Sequence, residues 1–162
     1  MYRWKPENNN EQNHEVVQHH EHLHPNTLSD RVQHKRQNTH RTELFKYIAG
    51  ILENKKCHLY QINGVEDHLH ILTHLHPSIA LADLVKDIKL ASTKFIKEKG
   101  FFPPFSGWQD GYGAFTYSID RREILINYVK NQEQHHKTKT FRDEYMDLLK
   151  EHGVQYEEKY LL

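Results

Sequence analysis

The sequence predicts a single α+β domain in which helices pack on an antiparallel sheet. Apolar residues recur at three- and four-residue intervals in some segments, the spacing of amphipathic helices, and at two-residue intervals in others, the spacing of strands. Segments of both kinds follow one another along the chain, and 162 residues suit one domain of ordinary size. We therefore expect helices and strands that share one core.

The first predicted elements are a helix and two strands. Helical spacing of apolar residues predicts a helix from about Thr42 to Asn54. Cys57 to Val65 is typical of a strand that turns near Asn63 and Gly64, and a second strand is predicted from about Asp67 to Leu75. A short turn between two strands favours an antiparallel pair.

A long helix, a strand and a further helix follow. The pattern predicts a helix from Ile79 to Lys99 that Gly100 ends. Tyr112 to Ile119 is a predicted strand, a helix runs from Asp120 to about His136, and Phe141 to Leu162 suggests a further short helix with a charged tail. From Arg41 onward this order lacks only one leading strand of a ferredoxin-like βαββαβ sandwich with an extra C-terminal helix.

Residues 1–40 differ from the rest in composition. They are rich in asparagine, glutamine, histidine and charged residues, with few and scattered aliphatic side chains. Such a segment buries too little apolar surface to offset the entropy of ordering it. We therefore predict a disordered segment at 1–40, a folded domain at 41–153 and a tail at 154–162, with the first strand lost or replaced.

The overall composition excludes several classes of protein. Lysine plus arginine and aspartate plus glutamate both number 22, so net charge gives no argument for nucleic acid. The single Cys57 permits neither an internal disulfide nor a zinc site of paired cysteines. Because a chain with one cysteine suits a reducing compartment, we expect a cytoplasmic protein. No apolar run approaches the ~18 residues of a membrane span. The 15 histidines are the unusual feature, since imidazole is a common metal ligand.

Two pairs of side chains form the candidate site. His68 and His70 lie two apart on a predicted strand, so both imidazoles project from one face. Tyr128 and Gln132 lie four apart on a predicted helix and also share a face. The unperturbed pKa of a phenol is about 10, so a tyrosine is a poor nucleophile near neutral pH. A tyrosine that attacks a phosphate therefore needs a metal ion to polarise that phosphate, and the two histidines could hold such an ion. Taken singly, each has a plainer explanation. The histidine pair is explained by a solvated sheet face, Tyr128 by a half-buried aromatic and Gln132 by a solvated helix residue.

Three stretches of the chain, Val65–Leu72, Gly107–Tyr112 and Tyr128–Gln132, resemble the IS200/IS605-type HUH transposases and their REP-associated relatives. The resemblance extends over roughly 41–153. It implies that His68, His70 and Gln132 hold Mg²⁺ or Mn²⁺ and that Tyr128 is the nucleophile.

The same resemblance implies a substrate and an assembly. We expect a bacterial homodimer that cuts and rejoins single-stranded or hairpin DNA through a 5′-phosphotyrosine, with each tyrosine helix often serving the partner's histidine pair. Candidate DNA contacts are Lys86, Lys89, Lys94 and Trp108. A solvated face explains the lysines better, and a core or dimer contact explains Trp108 at least as well.

Residues 1–40 also leave alternatives open. The family begins with a strand rich in aromatic and β-branched residues, and codons exist for Leu23 to Arg41 that spell such a strand when read one base later. A shifted reading frame is therefore our hypothesis for this segment, and the nucleotide sequence of the gene tests it. A catalytically silent, decayed or domesticated DNA-hairpin-binding remnant is the first alternative, and a histidine-rich metal-sequestering protein is the second.

Overall fold

A computed structural model describes residues 14–20, 30–65, 68–103, 105–108 and 111–156. The strands are β1 (His14–His20), β2 (His58–Gly64), β3 (His68–His74) and β4 (Gly113–Tyr117). The helices are α1 (Asp30–Asn54), α2 (Leu81–Lys99), α3 (Arg122–Lys130), α4 (Gln132–His135) and α5 (Phe141–Glu151), and a 3₁₀ turn at Ile119–Arg121 precedes α3. In this part of the chain no helix has the length and hydropathy needed to cross a bilayer.

The four strands form one antiparallel sheet in the order β2-β3-β1-β4. This order, with α1 and α2 as the two crossovers, is the ferredoxin-like plan that the sequence predicts from residue 41 onward. β3 lies between β2 and β1 and pairs with both, so its backbone groups are satisfied on both sides. The strand that carries the histidine pair is therefore held rigidly at the centre of the sheet.

The prediction that the first strand is missing is wrong. His14–His20 forms β1 and occupies the central position between β3 and β4. Two ladders of backbone hydrogen bonds hold such a strand whatever its side chains are, and a prediction based on apolar pattern alone gives those ladders no weight. Disorder is also wrong for 30–40, where α1 begins at Asp30 rather than Thr42. The rest of 1–40 lies outside the described residues, as do 157–162 of the predicted tail.

A second correction concerns the helix predicted from Asp120 to His136. It is divided into the 3₁₀ turn, α3 and α4, with the second break at Asn131 (φ −97°, ψ 16°). The side-chain amide of Asn131 donates to the Asn127 carbonyl at 2.9 Å, and local hydrogen bonds of this kind compete with helical geometry.

The two faces of β3 serve different purposes. Leu69 and Ile71 contribute to the main apolar core, together with residues of α1 and α2. Alternate residues point the other way, where Leu72 packs against Leu125 and Val129 of α3. His68 and His70 belong to this second face, which the C-terminal helices cover.

Candidate active site

The histidine pair of β3 is fully enclosed. His68 is 2 % exposed and His70 is 0 % exposed, and their ring centroids lie 5.0 Å apart. The alternation of the strand places both rings under α3, α4 and α5 rather than in solvent. The solvated-face explanation of this pair therefore does not describe the structure.

Tyr128 and Gln132 reach the same region from the helices. α3 is anchored on the sheet by the buried Leu125 and Val129 and by Asn63 of β2, whose side-chain amide donates to the Lys130 carbonyl at 2.9 Å. The Tyr128 ring centroid lies 6.0 Å from that of His70 in the same chain, and Gln132 is 0 % exposed. The structure thus brings all four predicted chemical residues together within one chain.

A buried carboxylate lies at the centre of this group. Glu144 of α5 is 1 % exposed, and its Oε1 accepts hydrogen bonds from the Tyr128 hydroxyl and, at 3.2 Å, from Nε2 of Gln132. Its Oε2 lies 3.1 Å from Nε2 of His136, 3.6 Å from Nε2 of His70 and 3.8 Å from Nε2 of His68. Glu144 therefore contacts the tyrosine side and the histidine side of the site at once.

His136 completes the cluster. It follows α4, and its Nε2 lies 2.9 Å from Nε2 of His68, while its Nδ1 contacts the Lys139 carbonyl at 2.9 Å. Ligand atoms of His68, His70, His136 and Glu144 all lie within 4.8 Å of one another. Four groups of this kind are a donor set that could hold one metal ion.

Two imidazoles of this cluster, those of His70 and His136, have lowered pKa values. Burial lowers the pKa of His70 well below its ordinary value, and the neighbouring His68 and His135 lower it further. Burial, followed by the electrostatic effect of the neighbouring His68, lowers the pKa of His136 to about 4. A neutral imidazole keeps a lone pair for a metal, so protons compete with a cation here only in acid.

Several polar atoms fit the presence of a cation. Both ring nitrogens of His70 and Oε1 of Gln132 are buried and have no hydrogen bond of standard length and angle among the described residues. Buried polar atoms in this condition cost about 1–3 kcal/mol each. Because Gln132 gives its amide N–H to Glu144, its carbonyl oxygen is the atom left for a metal.

Sequence reasoning missed Glu144 and His136. Glu144 lies three residues after Phe141 and four before Leu148, on the apolar stripe of α5, and a lone acid on such a stripe is the indication that was overlooked. The sequence gives a weaker indication of His136, because this residue follows the break in the helix and is one of many histidines.

The model of the family described as "Transposase IS200 like" matches residues 15–132, well over half of the chain. The chain belongs to the IS200-like transposase family. The match begins inside β1, so it includes the first strand as well as the histidine pair, Tyr128 and Gln132. The resemblance seen in the sequence motifs is thereby confirmed at the level of the family.

One solved structure agrees with this chain in fold. The REP-associated tyrosine transposase bound to a REP hairpin superposes with a TM-score of 0.51 at 12 % identity, covering 84 % of this chain and 74 % of that one. A candidate transposase from Deinococcus radiodurans gives a TM-score of 0.49 at 21 % identity, covering 82 % of this chain and 98 % of the other. A comparison with curated proteins gave no match.

The candidate DNA contacts of this transposase lie elsewhere. Lys86, Lys89 and Trp108 line a surface groove of about 390 Å³ beside α2, on the opposite side of the sheet from the histidines. Trp108 donates its indole N–H to Ser92 at 2.7 Å and packs on the main core. Lys94 is not among the groove residues, and its exposed ammonium lies 3.8 Å from Glu98. The structure does not bring these four residues to the candidate active site.

Proposed function

We propose that this transposase cuts and rejoins single-stranded DNA by transesterification, with Tyr128 as the nucleophile and a 5′-phosphotyrosine as the intermediate. The observation that carries the proposal is the position of the Tyr128 hydroxyl. The hydroxyl donates a hydrogen bond to Oε1 of Glu144. The other carboxylate oxygen, Oε2, lies 3.6 Å from Nε2 of the buried His70. The proposed nucleophile and a candidate metal site are thus neighbours in a chain of the IS200-like transposase family.

In the proposed mechanism His68, His70 and Gln132 hold Mg²⁺ or Mn²⁺. The ion, when bound, supplies positive charge that stabilises the charge developing on the scissile phosphate. The chain itself supplies the placement of the reacting groups. The paired strand β3 fixes the two imidazoles, and α3 holds the phenol beside them, which lowers the entropic cost of the reaction.

The proposed step needs no energy-storing cofactor, because the phosphodiester bond that forms replaces the one that breaks. The Tyr128 oxygen loses its proton and forms a bond to phosphorus, while the bond between phosphorus and the 3′ oxygen breaks. That oxygen takes up a proton and leaves as a 3′-hydroxyl. One phosphodiester replaces another, so the attack of a later 3′-hydroxyl reverses the step and joins new ends.

We propose single-stranded DNA next to a hairpin as the substrate. The site lies beneath helices, and a strand that is paired and stacked cannot bring one phosphate to it easily. A structural neighbour of the same fold is a transposase bound to a REP hairpin. Because the groove with Lys86, Lys89 and Trp108 is on the other side of the sheet, any phosphate contacts there would hold DNA away from the cut. Lys94 would add to them as an exposed charge on α2.

The test is covalent capture of DNA. Purified protein is incubated with labelled single-stranded hairpins from the flanks of its own gene, with Mg²⁺ or Mn²⁺, and then denatured. We expect an adduct that needs metal and disappears in Tyr128→Phe. Tyr47→Phe is the matched control, because Tyr47 is a partly exposed phenol (37 %) that stacks on Phe95, remote from the histidines.

The other outcomes separate the alternatives. An adduct that persists in Tyr128→Phe contradicts the assigned nucleophile. A hairpin that shifts in a gel without forming any adduct favours the silent DNA-binding remnant. Binding of several metal ions per chain, without any interaction with DNA, favours metal sequestration.

We further propose a homodimer, as the family resemblance implies. The Tyr128 and His70 rings are already close within one chain, so an exchange of tyrosine helices is not needed to complete the site. Sedimentation equilibrium measures the assembly, and a mass of one chain at all concentrations contradicts the dimer.

A further inference from the structure

The carboxylate of Glu144 divides its two oxygens between two sets of partners. Oε1 accepts from the Tyr128 hydroxyl and from the Gln132 amide. Oε2 faces three imidazoles, at 3.1 Å from His136, 3.6 Å from His70 and 3.8 Å from His68. One rigid, planar group therefore spans the distance between the nucleophile and the candidate metal ligands.

We propose that Glu144 is a metal ligand through Oε2 and, through Oε1, the positioning residue for Tyr128. This inference rests on the proposed function, because it assumes that the site holds a divalent cation. It adds Glu144 and His136 to the ligands that the family resemblance implies.

Distances between the donor atoms support a shared ion. With metal–ligand bonds of about 2.1 Å, neighbouring ligand atoms lie about 3.0 Å apart at right angles and about 3.4 Å apart in a tetrahedron. Nε2 of His68 and Nε2 of His136 are 2.9 Å apart, and the distances from Oε2 of Glu144 to the imidazoles run from 3.1 to 3.8 Å. The cluster needs only small movements to surround one ion.

Burial supports the same role. Glu144 is 1 % exposed, and a carboxylate removed from water is costly unless opposite charge or metal coordination compensates. Imidazoles in the neutral form that binds metal carry no positive charge to compensate the carboxylate. A divalent cation among these groups would offset the cost of burying the carboxylate.

The donor set also favours one class of ion. Three imidazole nitrogens with one carboxylate and one amide oxygen suit a transition ion, whereas Mg²⁺ prefers an all-oxygen set and retains water. We therefore expect Mn²⁺ to bind more tightly than Mg²⁺. Oε1 would meanwhile hold the phenol oxygen of Tyr128 next to the ion, where an incoming phosphate would meet both.

Metal binding by the full-length chain gives the first test. Mn²⁺ affinity is measured by calorimetry and the ligand set by the visible spectrum of bound Co²⁺, in wild type, Glu144→Gln and His70→Ala. Glu144→Gln keeps the shape and the acceptor for Tyr128 but loses the charge. We expect the Co²⁺ bands to change and Mn²⁺ affinity to fall by at least about 10- to 100-fold, the range for losing a group that only supports a ligand. Glu151→Gln is the control, because Glu151 is an exposed acid on the same helix, 3.7 Å from Arg121.

The second test separates ligation from positioning. At metal concentrations that saturate each variant, Glu144→Gln should recover much of the rate of adduct formation, whereas Glu144→Ala should not, because it also removes the acceptor for Tyr128. Circular dichroism checks that both variants fold, and Glu144→Asp replaces either variant that does not. In Glu144→Asp the shorter side chain cannot reach both partners, so affinity or rate must fall.

The outcomes distinguish this inference from the function on which it rests. Unchanged Mn²⁺ affinity and Co²⁺ spectrum in Glu144→Gln overturn the inference, while an adduct that depends on Tyr128 leaves the proposed function standing. A wild-type chain that binds neither ion and forms no adduct overturns both. Loss of affinity in His70→Ala but not in Glu144→Gln assigns the metal to the histidines alone and also overturns the inference.

Discussion

Gly64 ends β2 where the chain turns toward the histidine strand. A methyl group added at this position would lie 2.4 Å from the His68 carbonyl oxygen and 2.7 Å from the Leu69 Cα. Both are backbone atoms, so the start of β3 would have to shift. The absence of a side chain at Gly64 therefore sets how closely His68 approaches β2, and through it the geometry of the proposed metal ligands.

Gly64→Ala is accordingly predicted to destabilise the fold by about 1–3 kcal/mol, the usual cost of overpacking, and to weaken Mn²⁺ binding. Denaturant unfolding and calorimetry measure the two effects. Gly50→Ala is the matched control, because nothing lies within 4 Å of a methyl group there, and alanine in mid-helix stabilises by about 0.5–1 kcal/mol. Equal stability in the two variants would contradict the close contact.

The buried histidines predict a dependence of stability on pH in the metal-free protein. Burial holds the pKa of folded His136 at about 4, whereas the unfolded residue titrates at about 6.5. Between about pH 6.5 and about pH 4 the unfolded state binds more protons, so stability present above pH 6.5 is lost as pH falls and the loss ends near pH 4.

Denaturant unfolding with a chelator at several pH values across that window measures the slope. His136→Gln should make the slope shallower, since it removes one of the groups that bind a proton only on unfolding. His152→Gln, on the last turn beyond α5, serves for comparison. A slope that is the same in wild type and His136→Gln would refute the assignment.

At the scale of elements, the alternation of β3 could be predicted but the packing of α5 could not. Period-2 geometry alone places His68 and His70 on one face. Both faces of the strand are buried, but the alternation of side chains between the faces is the same. Glu144 reaches those histidines only because α5 folds back over the sheet, a long-range contact that no local pattern encodes. Tyr128 and Gln132 could be predicted because their four-residue spacing is local. Their shared partner Glu144 could not be predicted, because no local spacing connects it to them.

The cap of α5 gives a prediction at this scale. The Thr140 hydroxyl accepts a hydrogen bond from the Asp143 backbone N–H at 3.2 Å and fixes the start of the helix that carries Glu144. Thr140→Ala should cost about 0.5–2 kcal/mol and reduce Mn²⁺ affinity by loosening Glu144. Thr138→Ala loses a hydroxyl bond to the His135 carbonyl (3.1 Å) but no cap. Equal metal affinity in both variants would show that the cap does not order the site.

For the whole molecule, the ferredoxin-like plan could be predicted from residue 41 onward, but its first strand could not. Apolar periodicity identifies elements that bury side chains, and 14–20 offers little of it. The position of β1 is instead defined by pairing with β3 and β4 along its length. A strand of this kind becomes predictable only when the unpaired edges of its neighbours are considered together with its own sequence.

Deleting residues 1–29 therefore tests whether β1 is required, because it removes that strand and leaves α1 onward intact. We expect the truncated chain to aggregate, since β3 and β4 would expose two backbone edges in the middle of the sheet, and to lose the protected amides that hydrogen exchange should find on β3. Deletion of residues 1–13 retains β1 and is the control. If the shorter chain folds, binds Mn²⁺ and protects β3 as the control does, then residues 30–162 are self-sufficient, and β1 is dispensable to the sheet it completes.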